Sequence, residues 1–205
     1  WHMVSVAKQL IEDDIVLAKG SKEYQQMLND PDVKSAISTK AFGVVAKGYQ
    51  ISPALSETEE NYEQAQAQAD FVEMVFSIMP GNLTDTIKEI LRDCLAYGVS
   101  ISEKLFEYDS ENDVLLMSNI KVKDPNLYKT EQDDFGNIIK LILRTKDGDI
   151  EVDQNKFVRV AYNAQHGSTS GESDLRAAYL YWFIKTKLVR WWPAYLEKYA
   201  IPTAK

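Results

Sequence analysis

Between Val99 and Tyr162 the chain sets four strand-like runs too close together for helical crossovers. The runs are Val99–Tyr108, Val114–Val122, Ile138–Thr145 and Phe157–Tyr162, separated by clusters of Asp, Asn and Gly. Parallel neighbours need a long connection, usually a helix, so this spacing predicts a small antiparallel sheet. Asp147-Gly148, flanked by Leu141-Ile142-Leu143 and Ile150–Val152, is a hairpin signal, and Phe135-Gly136-Asn137 marks another turn.

Helical periodicity lies on both sides of this stretch. Val4, Ala7, Ile11, Ile15 and Ala18 recur at spacings of three and four, predicting an amphipathic helix that stops at Gly20. Asp30 as cap and Pro31 at the first helical position start a second helix, closed by Gly48, with Val33, Ile37, Ala41 and Val44 as its apolar face. Ser56 with Glu57, Glu59 and Glu60 opens a third, carrying Tyr62, Ala65, Ala69, Val72, Phe76 and Met79 and ended by Pro80-Gly81. Asn82 caps a fourth, with Leu83, Ile87, Ile90, Leu91 and Cys94 on one side and Gly98 as its stop. After the flexible run His166 to Gly171, Ser173 or Asp174 starts a long Trp-rich helix. Its stripes, Leu175/Trp182/Val189/Leu196 and Ile184/Leu188/Trp191/Tyr195, predict packing on two sides, against the rest of the fold or a neighbouring subunit, and Pro193 is expected to kink or divide it. The fold class is therefore α+β, with amphipathic helices around a small antiparallel sheet.

The expected organisation is one composite domain. Residues 4–98 form its helical part, 99–165 its strand-rich middle, and 166–205 a Gly/Ser hinge with the long helix. Trp1-His2-Met3 reads as a cloning remnant, no secretory signal opens the chain, and no apolar run reaches the roughly 18 residues of a membrane span. The lone cysteine, Cys94, excludes an internal disulfide and reads as a small core residue.

Charge narrows the partners. The net charge is −8; residues 1–79 hold six lysines against twelve acids, whereas residues 165–205 hold six cations against three acids. A protein that grips nucleic acid through counterion release needs a basic stripe, and this chain has only a mild C-terminal excess. An acidic surface instead keeps a nearby polyanion from adhering.

Catalytic constellations are weak. His166 lies in a Gly/Ser loop with Ser168 and Ser170, but a nucleophilic dyad also needs an orienting group and an oxyanion hole. An ordinary loop histidine is the favoured reading. Asp133-Asp134 and Asp147/Asp149 lack the alternating ligands and closing Glu of a calcium loop and read as solvated turns. No phosphate-cradling Gly-rich loop is present, and neither a metal nor a cofactor is expected. Tyr179, Tyr181, Trp182, Phe183, Trp191, Trp192, Tyr195 and Tyr199 could form a stacking platform for single strands, but burial against protein is favoured.

Three stretches resemble the Mu-like portal family of tailed bacteriophages. They are Tyr24 to Ile37, with its M-L-x-D-x-x-V-x-x-A pattern, Ala96 to Glu103, a helix-to-strand passage of the form Y-G-x-x-x-x-E, and Gly171 to Ala178. The last is similar to the family's G-x-S-x-L-R-A-A, followed by a Trp-rich helix and the exit Ile201-Pro202-Thr203. The motif positions are Gly98, Glu103, Gly171, Ser173, Leu175, Arg176 and Pro202. The resemblance implies a non-enzymatic subunit of a ring of about twelve copies at the capsid vertex. It implies capsid and terminase proteins as partners, assembly in the host cytoplasm, head–tail joining, and double-stranded DNA passing through the ring without being gripped by this segment. Family members continue past the Pro-Thr exit into stem, clip and crown, so the chain corresponds to the outer wing portion alone. Subunit contacts are expected on the helices at 57–79 and 173–192, through Val72, Phe76, Trp182 and Trp191. A second reading is a small protein-binding module that uses the Trp-rich helix; a hydrolase built on His166 ranks last.

Overall fold

A computed structural model describes residues 22–54, 59–133, 137–164 and 171–199. Among these residues there are five α-helices: α1 (Lys22–Leu28), α2 (Pro31–Val45), α3 (Glu59–Ile78), α4 (Leu83–Tyr97) and α5 (Asp174–Tyr199). The strands are β1 (Val99–Asp109), β2 (Val114–Lys123), β3 (Tyr128–Gln132), β4 (Ile138–Thr145), β5 (Gly148–Val152) and β6 (Phe157–Ala161). The fold is α+β, as the periodicity predicts. The expected helix at 4–18, the Ser56 cap, the Phe135-Gly136 turn, the His166–Ser170 run and the Pro-Thr exit lie outside the described residues.

The strands divide between two antiparallel sheets rather than one, in the orders β2-β1-β6 and β3-β4-β5. A matched pair of turns makes the division. Asp124 Oδ1 accepts from the Asn126 amide at 3.0 Å, and Asp153 Oδ1 accepts from the Asn155 amide at the same distance. Each closes a single 3₁₀ turn that delivers an aromatic residue, Tyr128 or Phe157, to the start of a strand. The two rings meet edge to face with centroids 5.6 Å apart. The chain thus leaves the first sheet after β2, builds β3–β5 as an excursion, and returns as β6 beside β1.

The helical core follows from the caps. Asp30 accepts from the amides of Asp32 and Val33, and Pro31 occupies the first turn where no amide donor is needed. α2 then buries Ile37, Ala41 and Val45. Val45 replaces the expected Val44, which is exposed, because the buried row keeps its spacing of four from Ile37 through Ala41. Asn82 caps α4 through the Thr84 amide, and Gly98 ends it in the left-handed conformation at φ 81°. Tyr24, Met27 and Leu28 of α1, Ile37 and Ala41 of α2, Leu95 and Ala96 of α4, and Leu175 and Tyr179 of α5 form one buried cluster.

Two expectations for α5 meet the structure here. Of a kink or a division at Pro193, the division does not occur: the carbonyl that the proline cannot serve belongs to Val189, which is exposed. This fold also buries only Leu175 and Tyr179 of the helix. All residues from Leu188 to Tyr199 are exposed, so the subunit alone does not cover the predicted second side.

Candidate functional site

Gly98, Gly171, Ser173 and Leu175 converge where α4, the end of β6 and α5 meet. Gly98 donates its amide to the Cys94 carbonyl at 2.8 Å and accepts from the Tyr162 amide at 2.8 Å. The Tyr162 carbonyl in turn accepts from the Glu172 amide at 2.8 Å. Gly171 is wedged between these backbones: a Cβ there would lie 2.0 Å from the Tyr162 oxygen and 2.2 Å from the Gly98 oxygen. A Cβ on Gly98 would sit 2.4 Å from the Gly171 oxygen. Both positions require glycine for close backbone approach, and Gly98 requires it for its positive φ as well.

Ser173 completes the junction. Its hydroxyl donates to the Ala96 carbonyl at 2.6 Å and accepts from the Leu175 amide at 3.0 Å. It caps α5 while tying it to the last turn of α4. Asp174 accepts from Lys40 Nζ at 2.8 Å, which adds α2 to the same corner. The Asp174 carboxylate also raises the Lys40 pKa. Further along α5, Lys185 bonds both carboxylate oxygens of Asp30 at 2.9 Å and Asp32 at 2.5 Å. That contact holds the Asp30 carboxyl below its ordinary range. On β1, Glu103 pairs with Lys123 of β2 at 2.7 Å and raises its pKa. Leu175 is buried, Arg176 lies at the surface, and Pro202 falls outside the described residues. This is the geometry of a rigid joint.

The remaining candidate residues are dispersed. His166, Ser168, Ser170 and Asp134 lie outside the described residues. Asp133 accepts from the Asn137 amide at 2.7 Å and closes a turn, while Asp147 and Asp149 are exposed at the β4–β5 hairpin. Among the described residues, no group of three or more His, Cys, Asp or Glu side chains is placed to hold a metal ion. No described helix is long and apolar enough to cross a membrane. Cys94 is buried with its thiol 3.6 Å from the Val160 carbonyl, and burial pushes its pKa up to about 11, which suits a core residue rather than a nucleophile.

The expected contact residues differ in exposure. Val72 and Trp191 are exposed, Phe76 is half-buried, and Trp182 leans on the core with its ring 5.9 Å from Tyr179. Sequence periodicity missed a groove of about 410 Å³ between the end of α3 and the β1–β2 hairpin. Its walls include Ile78, Leu105, Leu116 and Met117, with Glu107, Asp109 and Lys121 as its charged members. The alternation in β1 and β2 hints at a face there, but only the placement of α3 turns that face into a groove.

Residues 21–205 match the protein family described as the portal protein of Mu bacteriophage. No curated protein matches the chain.

Proposed function

The chain belongs to the Mu bacteriophage portal protein family, a structural family whose members form oligomeric rings at the capsid vertex, and we propose that it forms the wing of one ring subunit. In this reading it braces neighbouring subunits while other parts of the ring handle DNA during packaging, ejection and head–tail joining. The ring holds about twelve copies, assembles in the host cytoplasm and engages capsid and terminase proteins. Val72, Phe76, Trp182 and Trp191 face adjacent subunits.

The observation that supports this most strongly is the joint at Gly98, Gly171 and Ser173, where backbone approaches fix the angle between the helical layer, the first sheet and α5. A wing transmits load between subunits, and a joint made of backbone contacts cannot flex without breaking hydrogen bonds. The acidic net charge of −8 suits a segment that stays near packaged DNA without adhering to it.

Two measurements test the reading. A label on the chain should appear at a single vertex of each particle, and particles made without the chain should accumulate as unfilled heads. Labels spread over the shell, or filled heads without the chain, would contradict it.

A further inference from the structure

The second half of α5 is an unpartnered face. From Leu188 to Tyr199 every residue is exposed, among them Leu188, Trp192, Tyr195 and Tyr199, which fall on one side of the helix at spacings of three and four. The Tyr195 and Tyr199 rings lie tilted against each other along it, with centroids 5.0 Å apart. Its charge is mildly basic: Arg190 and Lys198 against Glu197. The groove between α3 and the β1–β2 hairpin is its complement in both respects. Ile78, Leu105, Leu116 and Met117 line it beside Tyr108, Ser118 and Asn119, and its volume of about 410 Å³ has room for a few large side chains. Glu107 and Asp109 of β1 line it, and Glu111 and Asp113 stand at the neighbouring hairpin tip, so acids outnumber the lining cation Lys121.

We propose that the Leu188–Tyr199 half of α5 docks in the α3/β1–β2 groove of a second copy of this chain, with Trp192 as its anchor. The helix cannot fill its own groove, because it packs on α1 and α4 and leaves these residues in solvent. The two surfaces differ, so the contact is heterologous, the kind that builds a ring when its rotation closes. A helix laid into an apolar groove with an opposite-charge rim provides affinity from the anchors and register from the rim. The proposal rests on the ring reading above and adds to it which surfaces meet.

Cross-linking of two full-chain variants tests it. Leu116→Cys places a thiol in the groove, at a half-buried site, and Trp192→Cys one on the exposed helix; the native Cys94 is buried. Mild oxidation of the mixture should yield a covalent dimer of the two variants, and neither variant alone should yield one. Leu196→Cys paired with Leu116→Cys repeats the test should Trp192→Cys fold poorly. Cross-linking of one variant with itself would show a symmetric contact and overturn the proposal. Rings that form without the mixed cross-link would overturn the proposal and leave the ring reading standing. No association at all would overturn both.

Discussion

The Ser173 hydroxyl and the Ala96 carbonyl form a 2.6 Å hydrogen bond inside the core, a side-chain bond that ties the start of α5 to the end of α4. Ser173 is 7% exposed and Ala96 is fully buried. Ser173→Ala therefore leaves a buried carbonyl unserved and removes the cap on the Leu175 amide. We expect a loss of about 2 kcal/mol in urea unfolding, with an unchanged slope. A change below about 0.5 kcal/mol would mean the joint is not held there.

The glycines of the joint predict a contrast within one chain. Gly171→Ala and Gly98→Ala each force a Cβ into backbone and should cost more than about 3 kcal/mol or prevent folding. Gly43→Ala, in the exposed last turn of α2 with nothing within 4 Å of the new Cβ, should instead stabilise by about 0.5 kcal/mol. Thermal melts of the three variants decide the order.

Much of this architecture is legible in the sequence, and the misses share a cause. Asp30-Pro31, Asn82 and Gly98 announce α2 and α4 because caps are local chemistry that tertiary context rarely overrides. The 147–148 turn announces β4–β5 for the same reason. β3, Tyr-Lys-Thr-Glu-Gln, is missed because its apolar content is too low to show alternation, and it is held by pairing with β4. Without β3 the two-sheet arrangement is invisible, although the matched turns at Asp124 and Asp153 stand in plain view. α1 is missed because seven residues are too few for a periodicity, and Tyr24 and Met27 reveal their role only once buried. The motif glycines are visible as letters, but their roles depend on Tyr162, which comes to them from a different element.

Asp93 gives a pH signature. Burial, and then the neighbouring Glu89, push its carboxyl up to about 6. A carboxyl raised in the folded state binds its proton more tightly there than in the unfolded chain, where it titrates near 3.9. Its ionisation therefore opposes folding, and stability falls as pH rises from about 4 to about 6. Asp93→Asn should flatten that part of the stability profile and raise stability at pH 7 relative to the parent. An unchanged profile would show the carboxyl to be well solvated.

Lys185 and Asp30 provide a second tie between α5 and α2. Asp30→Ala removes both the α2 cap and the acceptor for Lys185, and should cost about 1 kcal/mol from the cap alone. Lys185→Ala leaves the cap intact, and its ammonium is largely solvated, so its effect should be the smaller of the two and should shrink further in salt. A larger loss for Lys185→Ala would move the weight from the cap to the ion pair.

The most direct test of the central claim is native mass spectrometry, with electron microscopy, of the whole gene product under assembly conditions. The account predicts closed rings of about a dozen subunits, with α5 of each copy lying against the β1–β2 hairpin of the next. A product that remains a lone subunit under those conditions would contradict it.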